Sequence, residues 1–239
     1  MKIEIWSDFV CPFCYIGKRR LENALKQFHH RNQVKIELKS FELDPQAPVN
    51  DHRSTYEVLA TKYGMSIEQA KQMTERVAEQ AKSVGLTFHF DQMKRTNTFN
   101  AHRLAKYAEK LGEEKKLTEK LFYAHFTDGK NIGDPETLIS LAVESGLDQN
   151  QVKELLEDKT AYAKEVRSDQ EAARRYNITG VPYFIFNHKY AISGAQPLET
   201  FVSALEKVWK EETDGLKDLS SNSTQSALCT DENCEIPSN

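Results

Sequence analysis

Two cysteines three residues apart, Cys11 and Cys14, stand in the stretch SDFVCPFCYIGKRR, Ser7 to Arg20. Such a pair can pass electrons by thiol–disulfide exchange, supply half of a zinc site, or be two buried thiols. Pro12 between them suits the first turn of a helix, where no N–H donor is needed. Cys11 then falls at or next to the N-cap, where free backbone N–H groups and the helix dipole favour the thiolate that attacks disulfides. Cys14 follows one turn later, begins a sheet-facing stripe, and is expected to be less accessible. The expected chemistry therefore has an order: Cys11 attacks a disulfide, and Cys14 resolves the mixed disulfide by attacking the Cys11 sulfur. Zinc would need two more ligands. The remaining cysteines, Cys229 and Cys234, lie in a distant polar tail, so no metal site is expected. An apolar core has no need of two thiols at a strand-to-helix edge.

The elements that must position the pair are legible in the hydrophobic pattern. Ile3 and Ile5 alternate with Glu4 as in a strand. Gly17, Leu21, Ala24, Leu25 and Phe28 then repeat as one stripe of an amphipathic helix. Val34, Ile36 and Leu38 alternate again, and strand, helix, strand requires a parallel pair. From about Ser54 to Tyr176 helical patterns follow one another, with Ser66 and Asp134-Pro135 as starts and Gly85, Gly112 and Gly146 as stops. A strand from Pro182 to Phe186, a turn at Asn187-His188, a strand from Lys189 to Ser193 and a helix from Pro197 complete the pattern. The expected organisation is a first α/β half over 1–48, a helical insertion over 49–176, a second α/β half over 177–213, and a polar Ser/Asn-rich tail over 214–239.

Composition narrows the partners. A chain of 239 residues can bury a core without staples, so disulfides are not needed to hold it together. The net charge of -4, with acids and bases interspersed, offers no patch suited to nucleic acid or to a membrane surface. The start, Met1-Lys2-Ile3-Glu4, is charged where a signal peptide would be apolar, and no run approaches the length of a membrane helix. A cytoplasmic location is expected, where a close cysteine pair is more often catalytic than structural.

Five stretches taken together, SDFVCPFCYIGKRR, FELDP (Phe41 to Pro45), NTFNAHRL (Asn97 to Leu104), TGVPYFIF (Thr179 to Phe186) and SGAQPLETF (Ser193 to Phe201), resemble the FrnE subgroup of the DsbA-like thioredoxin-fold oxidoreductases. The likeness runs in order along essentially the whole folded chain. It implies an α/β thioredoxin fold with a large all-helical insertion, a CxxC active site, and a cis Val181–Pro182 bond opposite it. That loop would leave the backbone of Val181 free to pair with an extended substrate beside Cys11. The resemblance also implies disulfide- or thiol-bearing protein substrates and a thiol reductant or oxidant partner. It implies no cofactor beyond the redox disulfide itself, with glutathione as a candidate thiol. Phe13 departs from the Trp common in the subgroup and is expected to retune the redox potential.

Other residues speak less directly. Ala101, Leu104, Ala105, Ala108 and Leu111 form the expected core stripe of their helix, which turns His102 and Arg103 outward. With Pro12 and Phe13 they are groove candidates, though solvent is the plainer destination for His102 and Arg103. Asn97 reads as a helix cap, and Lys18, Arg19 and Arg20 as a solvated basic face. Glu42, after a strand, is a candidate proton relay beneath Cys14. Cys229 and Cys234 in CTDENC read as an auxiliary dithiol serving the CxxC pair, against an incidental pair in a frayed end. A kappa-class glutathione transferase or a 2-hydroxychromene-2-carboxylate isomerase is the rival enzyme reading. Those families share the split fold and an NTxxAxR segment but usually carry Ser where Cys11 stands, so Cys14 would be idle. A redox-sensing binding module is the third reading.

Overall fold

The computed structural model describes residues 1–214 and, for the backbone alone, 228–229 and 234–235. The first strand, β1 (Lys2–Ser7), leads into α1 (Pro12–Gln27) and, after a short 3-10 turn, β2 (Lys35–Ser40). Seven helices follow: α2 (Thr55–Tyr63), α3 (Ile67–Lys82), α4 (Phe99–Leu111), α5 (Glu114–Phe126), α6 (Pro135–Glu144), α7 (Gln149–Glu157) and α8 (Ala163–Arg175). The chain then returns as β3 (Tyr183–Phe186), β4 (Tyr190–Ser193) and α9 (Leu198–Thr213). The sheet order is β2-β1-β3-β4, with β1 and β2 parallel and the other neighbours antiparallel. This is an α/β thioredoxin fold with a helical insertion between β2 and β3. Among the described residues no helix is long and apolar enough to cross a membrane.

Local signals account for the element ends. Ser54 and Ser66 both close capping boxes, with Glu57 and Gln69 three residues on, and Asp134 caps α6 ahead of Pro135. Asn187 and His188 both have positive φ (48° and 54°), which the tight β3–β4 turn requires. Asn187 also fastens that turn to the sheet, since its side chain accepts the Lys2 N–H at 2.6 Å. Before α4 the expectation needs correction: the cap position is Thr98, while Asn97 accepts the Phe99 N–H at 2.9 Å in a turn one residue earlier.

Two bodies of apolar side chains meet along α1. Ile3, Ile5, Phe184 and Phe186 of the sheet pack with Leu21 and Ala24 of α1, with Phe28 just beyond its end, and with Phe201, Leu205 and Val208 of α9. The first turns of α1 belong elsewhere: Cys14, Tyr15 and Ile16 join a larger cluster with Phe9 and the insertion's Leu104, Leu117, Phe122 and Phe126. Cys14 therefore does not begin the stripe shared with the sheet, because the insertion covers this end of the helix. Tyr15 stacks on Phe122 at 4.8 Å and 8°, and its hydroxyl donates to Glu119 at 2.6 Å. Burial opposes the charge of Glu119, yet Lys18, Tyr15 and Arg19 together hold its carboxyl down at about 2. Lys18 and Arg19 thus tie α1 to α5 rather than forming a solvated face. Arg20 donates to the carbonyl of Ala195 beyond β4.

Gly17 sets how closely α1 lies on the sheet. A Cβ there would come within 3.1 Å of Phe184 Cζ and 3.2 Å of Pro182 Cγ. Gly17→Val forces two further methyl groups into that contact, and overpacking of this kind costs about 1–3 kcal/mol. The expected outcome is a lower urea midpoint at unchanged slope, and a midpoint equal to wild type would show that the helix can lift away freely.

Candidate active site

Cys11 occupies the N-cap of α1 with extended φ/ψ (-91°, 113°), and Pro12 follows at the first helical position. The Cys11 N–H is spent on the Asp8 carbonyl at 3.1 Å; in the turn that follows, Pro12 has no N–H and the Cys14 N–H donates to the Cys11 carbonyl at 3.0 Å. The Cys11 thiol donates to the carbonyl of Val181 at 3.5 Å. The Val181–Pro182 bond is cis, and the Pro182 carbonyl accepts the Gly194 N–H at 2.9 Å, joining the loop to the end of β4. Pro12 is half-buried and Phe13 is 38% exposed beside the cysteines.

Burial alone does not order the pair, since Cys11 is 4% and Cys14 2% exposed. Electrostatics does. Burial pushes the Cys14 thiol well above its usual range, and bonding to Cys11 pushes it the same way, while the Ser7 hydroxyl and the Asp8 backbone pull it down. Cys11 stands at the helix N-terminus, the end at which the dipole favours negative charge.

Beneath the pair lies a set of polar groups that the helical stripe of α4 turned outward on paper. Both His102 and Arg103 are buried, at 3% and 1% exposure, and the solvated reading of them is wrong. His102 Nε2 lies 3.3 Å from Asp8 Oδ1, with its ring 4.8 Å from Phe9. Asp8 Oδ2 accepts the Leu43 N–H at 2.7 Å. Arg103 has no part in this group: it donates to the carbonyls of Leu155, Asp158 and Ala161, covering the exit of α7. Burial lowers its pKa, and Asp158 opposes that. Leu111, expected in the core, is 53% exposed because α4 ends there at Gly112 and runs clear of its neighbours. Glu42 is buried but pairs with Arg167 and Gln170 at 2.8 and 2.7 Å, on the α8 side, and is not the group bonded to Cys14.

Sequence reasoning passed over Ser7, Asp8, Lys106, Glu114 and His125. Ser7 and Asp8 stand within the quoted CxxC stretch, so their closeness was readable; the other three come from the insertion, and nothing in their spacing announces the sheet end they approach. His125 is buried with its Nδ1 unpartnered among the described residues, and burial pushes it down to about 4 although Asp8 acts against this. The side chains of Cys229 and Cys234 lie outside the described residues. Their backbone forms β5 (Leu228–Cys229) and β6 (Cys234–Glu235), antiparallel, with Cys229 opposite Cys234.

The model of the DSBA-like thioredoxin domain family matches residues 2–206. The chain is 28% identical over 215 residues to the Bacillus subtilis protein YwbO, covering 87% of this chain and 98% of that one. The crystal structure of a probable DsbA oxidoreductase from Streptomyces coelicolor is 39% identical, covers all of both chains and superposes with a TM-score of 0.86. A 2-hydroxychromene-2-carboxylate isomerase shares the fold at 16% identity and a TM-score of 0.64, over 90% of this chain and 98% of its own.

The asymmetry of the cysteines has a direct readout. Iodoacetamide added in small excess to the reduced protein at neutral pH is expected to place the first carbamidomethyl group on Cys11, because alkylation follows thiolate. Peptide mass spectrometry identifies the site, and a first adduct on Cys14 would reverse the assigned order.

Proposed function

The chain belongs to the DSBA-like thioredoxin domain family, and from that membership we propose that it is a thiol–disulfide oxidoreductase exchanging disulfides with protein substrates through Cys11 and Cys14. The observation that carries the reading is the pairing of unlike thiols: Cys11 at a helix N-cap facing a backbone carbonyl, and Cys14 one turn on, held protonated by burial. Cys11 attacks a substrate disulfide and one substrate sulfur leaves as thiolate. The Cys14 thiolate then attacks Cys11, the mixed disulfide breaks, and the second substrate sulfur departs. The backbone at Val181, beside Cys11, is the proposed docking edge for an extended substrate strand. The sequence motifs favour the FrnE subgroup.

The isomerase or glutathione-transferase reading draws on likeness of fold and on the NTxxAxR segment, and gives Cys14 no part in the chemistry. Reduction of insulin disulfides by dithiothreitol tests both. Wild type is expected to accelerate it, Cys11→Ser to abolish the acceleration, and Cys14→Ser to lower it severalfold while accumulating mixed disulfides on non-reducing gels. Isomerisation of a chromene carboxylate with glutathione, unaffected by Cys14→Ser, would sink the proposal if insulin reduction were absent.

The tail adds a second dithiol to the proposal. Residues opposed in an antiparallel pair have Cα atoms about 4.5–5.5 Å apart, within the roughly 4.4–6.8 Å a disulfide spans, and Cys229 faces Cys234 in this way. We assign this pair the passage of electrons to or from Cys11 and Cys14. The double variant Cys229→Ser/Cys234→Ser is expected to slow multiple-turnover reduction severalfold and leave the first turnover unchanged. Equal multiple-turnover rates, with no Cys11-to-tail crosslink by mass spectrometry, would remove the tail from the mechanism.

A further inference from the structure

Cys14 cannot attack until it loses its proton, and it is shut away from bulk water. Its hydroxyl neighbour is Ser7. Ser7 also lines a cavity of about 20 Å³ between the end of β1 and the insertion, walled in part by Ser40, His102, Lys106, Glu114 and Thr118. That is room for a water, which needs polar partners. Two are present: Thr118 Oγ1 and Glu114 Oε1 are buried with no protein partner among the described residues. Left dry, each would carry the penalty of an unsatisfied polar atom.

We propose that the proton leaving Cys14 passes by way of Ser7 and a water held at Thr118 to the carboxylate of Glu114, a positioning residue for the resolving step. This rests on the oxidoreductase reading above. The step balances: Glu114 gains one proton, the water is restored, the Cys14 sulfur bonds to Cys11, and the substrate sulfur takes the electron pair of the broken disulfide. Glu114 afterwards releases its proton to solvent.

The charges around Glu114 suit this part. Lys106 and Glu109 face it from α4, Lys39 from β2 and Asp169 from α8. Both lysines are already engaged: Lys106 bonds Asp169 at 2.8 Å and Glu109 at 3.1 Å, and Lys39 lies 3.7 Å from Asp169. Burial, seconded by Glu109, raises the Glu114 carboxyl to about 7 against the pull of Lys106. The other acids and bases nearby are worse acceptors. Asp8 is bonded to Leu43 and His102, His125 is too weak a base at about 4, and Glu42 faces Arg167.

One equivalent of 5,5′-dithiobis(2-nitrobenzoate) added to the reduced protein separates the steps when Cys229→Ser/Cys234→Ser is the common background of every protein compared, wild type elsewhere, so that Cys11 and Cys14 are the thiols that react. The first thionitrobenzoate release reports attack by Cys11, and the second reports resolution by Cys14. In wild type the second rate is expected to rise with pH through about 7, as Glu114 becomes able to accept. Glu114→Gln is expected to abolish that inflection and slow the second release at neutral pH on the order of 10²-fold, the usual scale of general-base assistance. Thr118→Val keeps the carboxylate and removes the water's hydroxyl partner, so it should slow the second release while retaining the inflection. A Glu114→Gln protein with the wild-type inflection overturns the inference, whatever its absolute rate, while the first release shows that Cys11 works. Absence of the first release in wild type overturns the exchange reading itself.

Discussion

The end of the molecule that carries the cysteines depends on one constraint: the first turn of α1 must stay pressed against the loop at Val181 and Pro182. Cys11 sits on one side of that contact and the carbonyl that receives its thiol on the other. Gly17 sets the separation, since any side chain there would meet Pro182 and Phe184. Arg20, nearly one turn further along, bonds the carbonyl of Ala195 and so grips the same loop region from the chain beyond β4. On the opposite side Tyr15 stacks on Phe122 while Lys18 and Arg19 meet Glu119, so the insertion pushes where the sheet pulls.

The insertion also solves a solvation problem. A thiol that must stay protonated until needed has to be dry, yet it must still find a proton acceptor. Phe9, Phe122 and Phe126 supply the dry walls. The cations buried around this enclosure are each given partners, as burial of charge demands. Arg103 meets three carbonyls where α7 ends, and Lys106 meets Leu38 O, Asp169 and Glu109. Asp169, in turn, accepts the Ser40 N–H at 2.9 Å, and its carbonyl takes the Trp6 indole N–H at 3.0 Å. These bonds lock α8 to β1 and β2 and so fix the wall behind the cysteines.

The thioredoxin half was legible because each of its signals is local: alternation in β1 and β2, a proline after Cys11, two positive-φ residues at a hairpin. The CxxC pair and its place at a helix start followed from the same short-range rules. The orientation of α4 did not follow. Its apolar stripe correctly buried Ala101, Leu104, Ala105 and Ala108, but a helix packed on several sides also buries the polar residues between them, and His102, Arg103 and Lys106 are all inside. A periodicity argument finds one face; it cannot see that α8, β2 and α7 close over the others. Asp8 and Glu114 escaped notice for a related reason, since each acquires its environment only when distant elements meet.

With both cysteines almost equally buried, selectivity between them cannot come from access. It comes from what each sulfur faces. Cys11 faces the N-terminal end of a helix, where a negative charge is favoured, and the backbone carbonyl of Val181. Cys14 faces Ser7, Asp8 and an aromatic wall, where a charge is disfavoured unless a neighbour takes the proton. The same helix start thus holds two thiols at different readiness, separated by a single turn. Replacing Pro12 or Phe13 would alter the rim of that turn, whereas changes to Ser7, Asp8 or His102 reach its buried side. On the proposed mechanism the outer set bears on attack and docking, and the inner set on resolution.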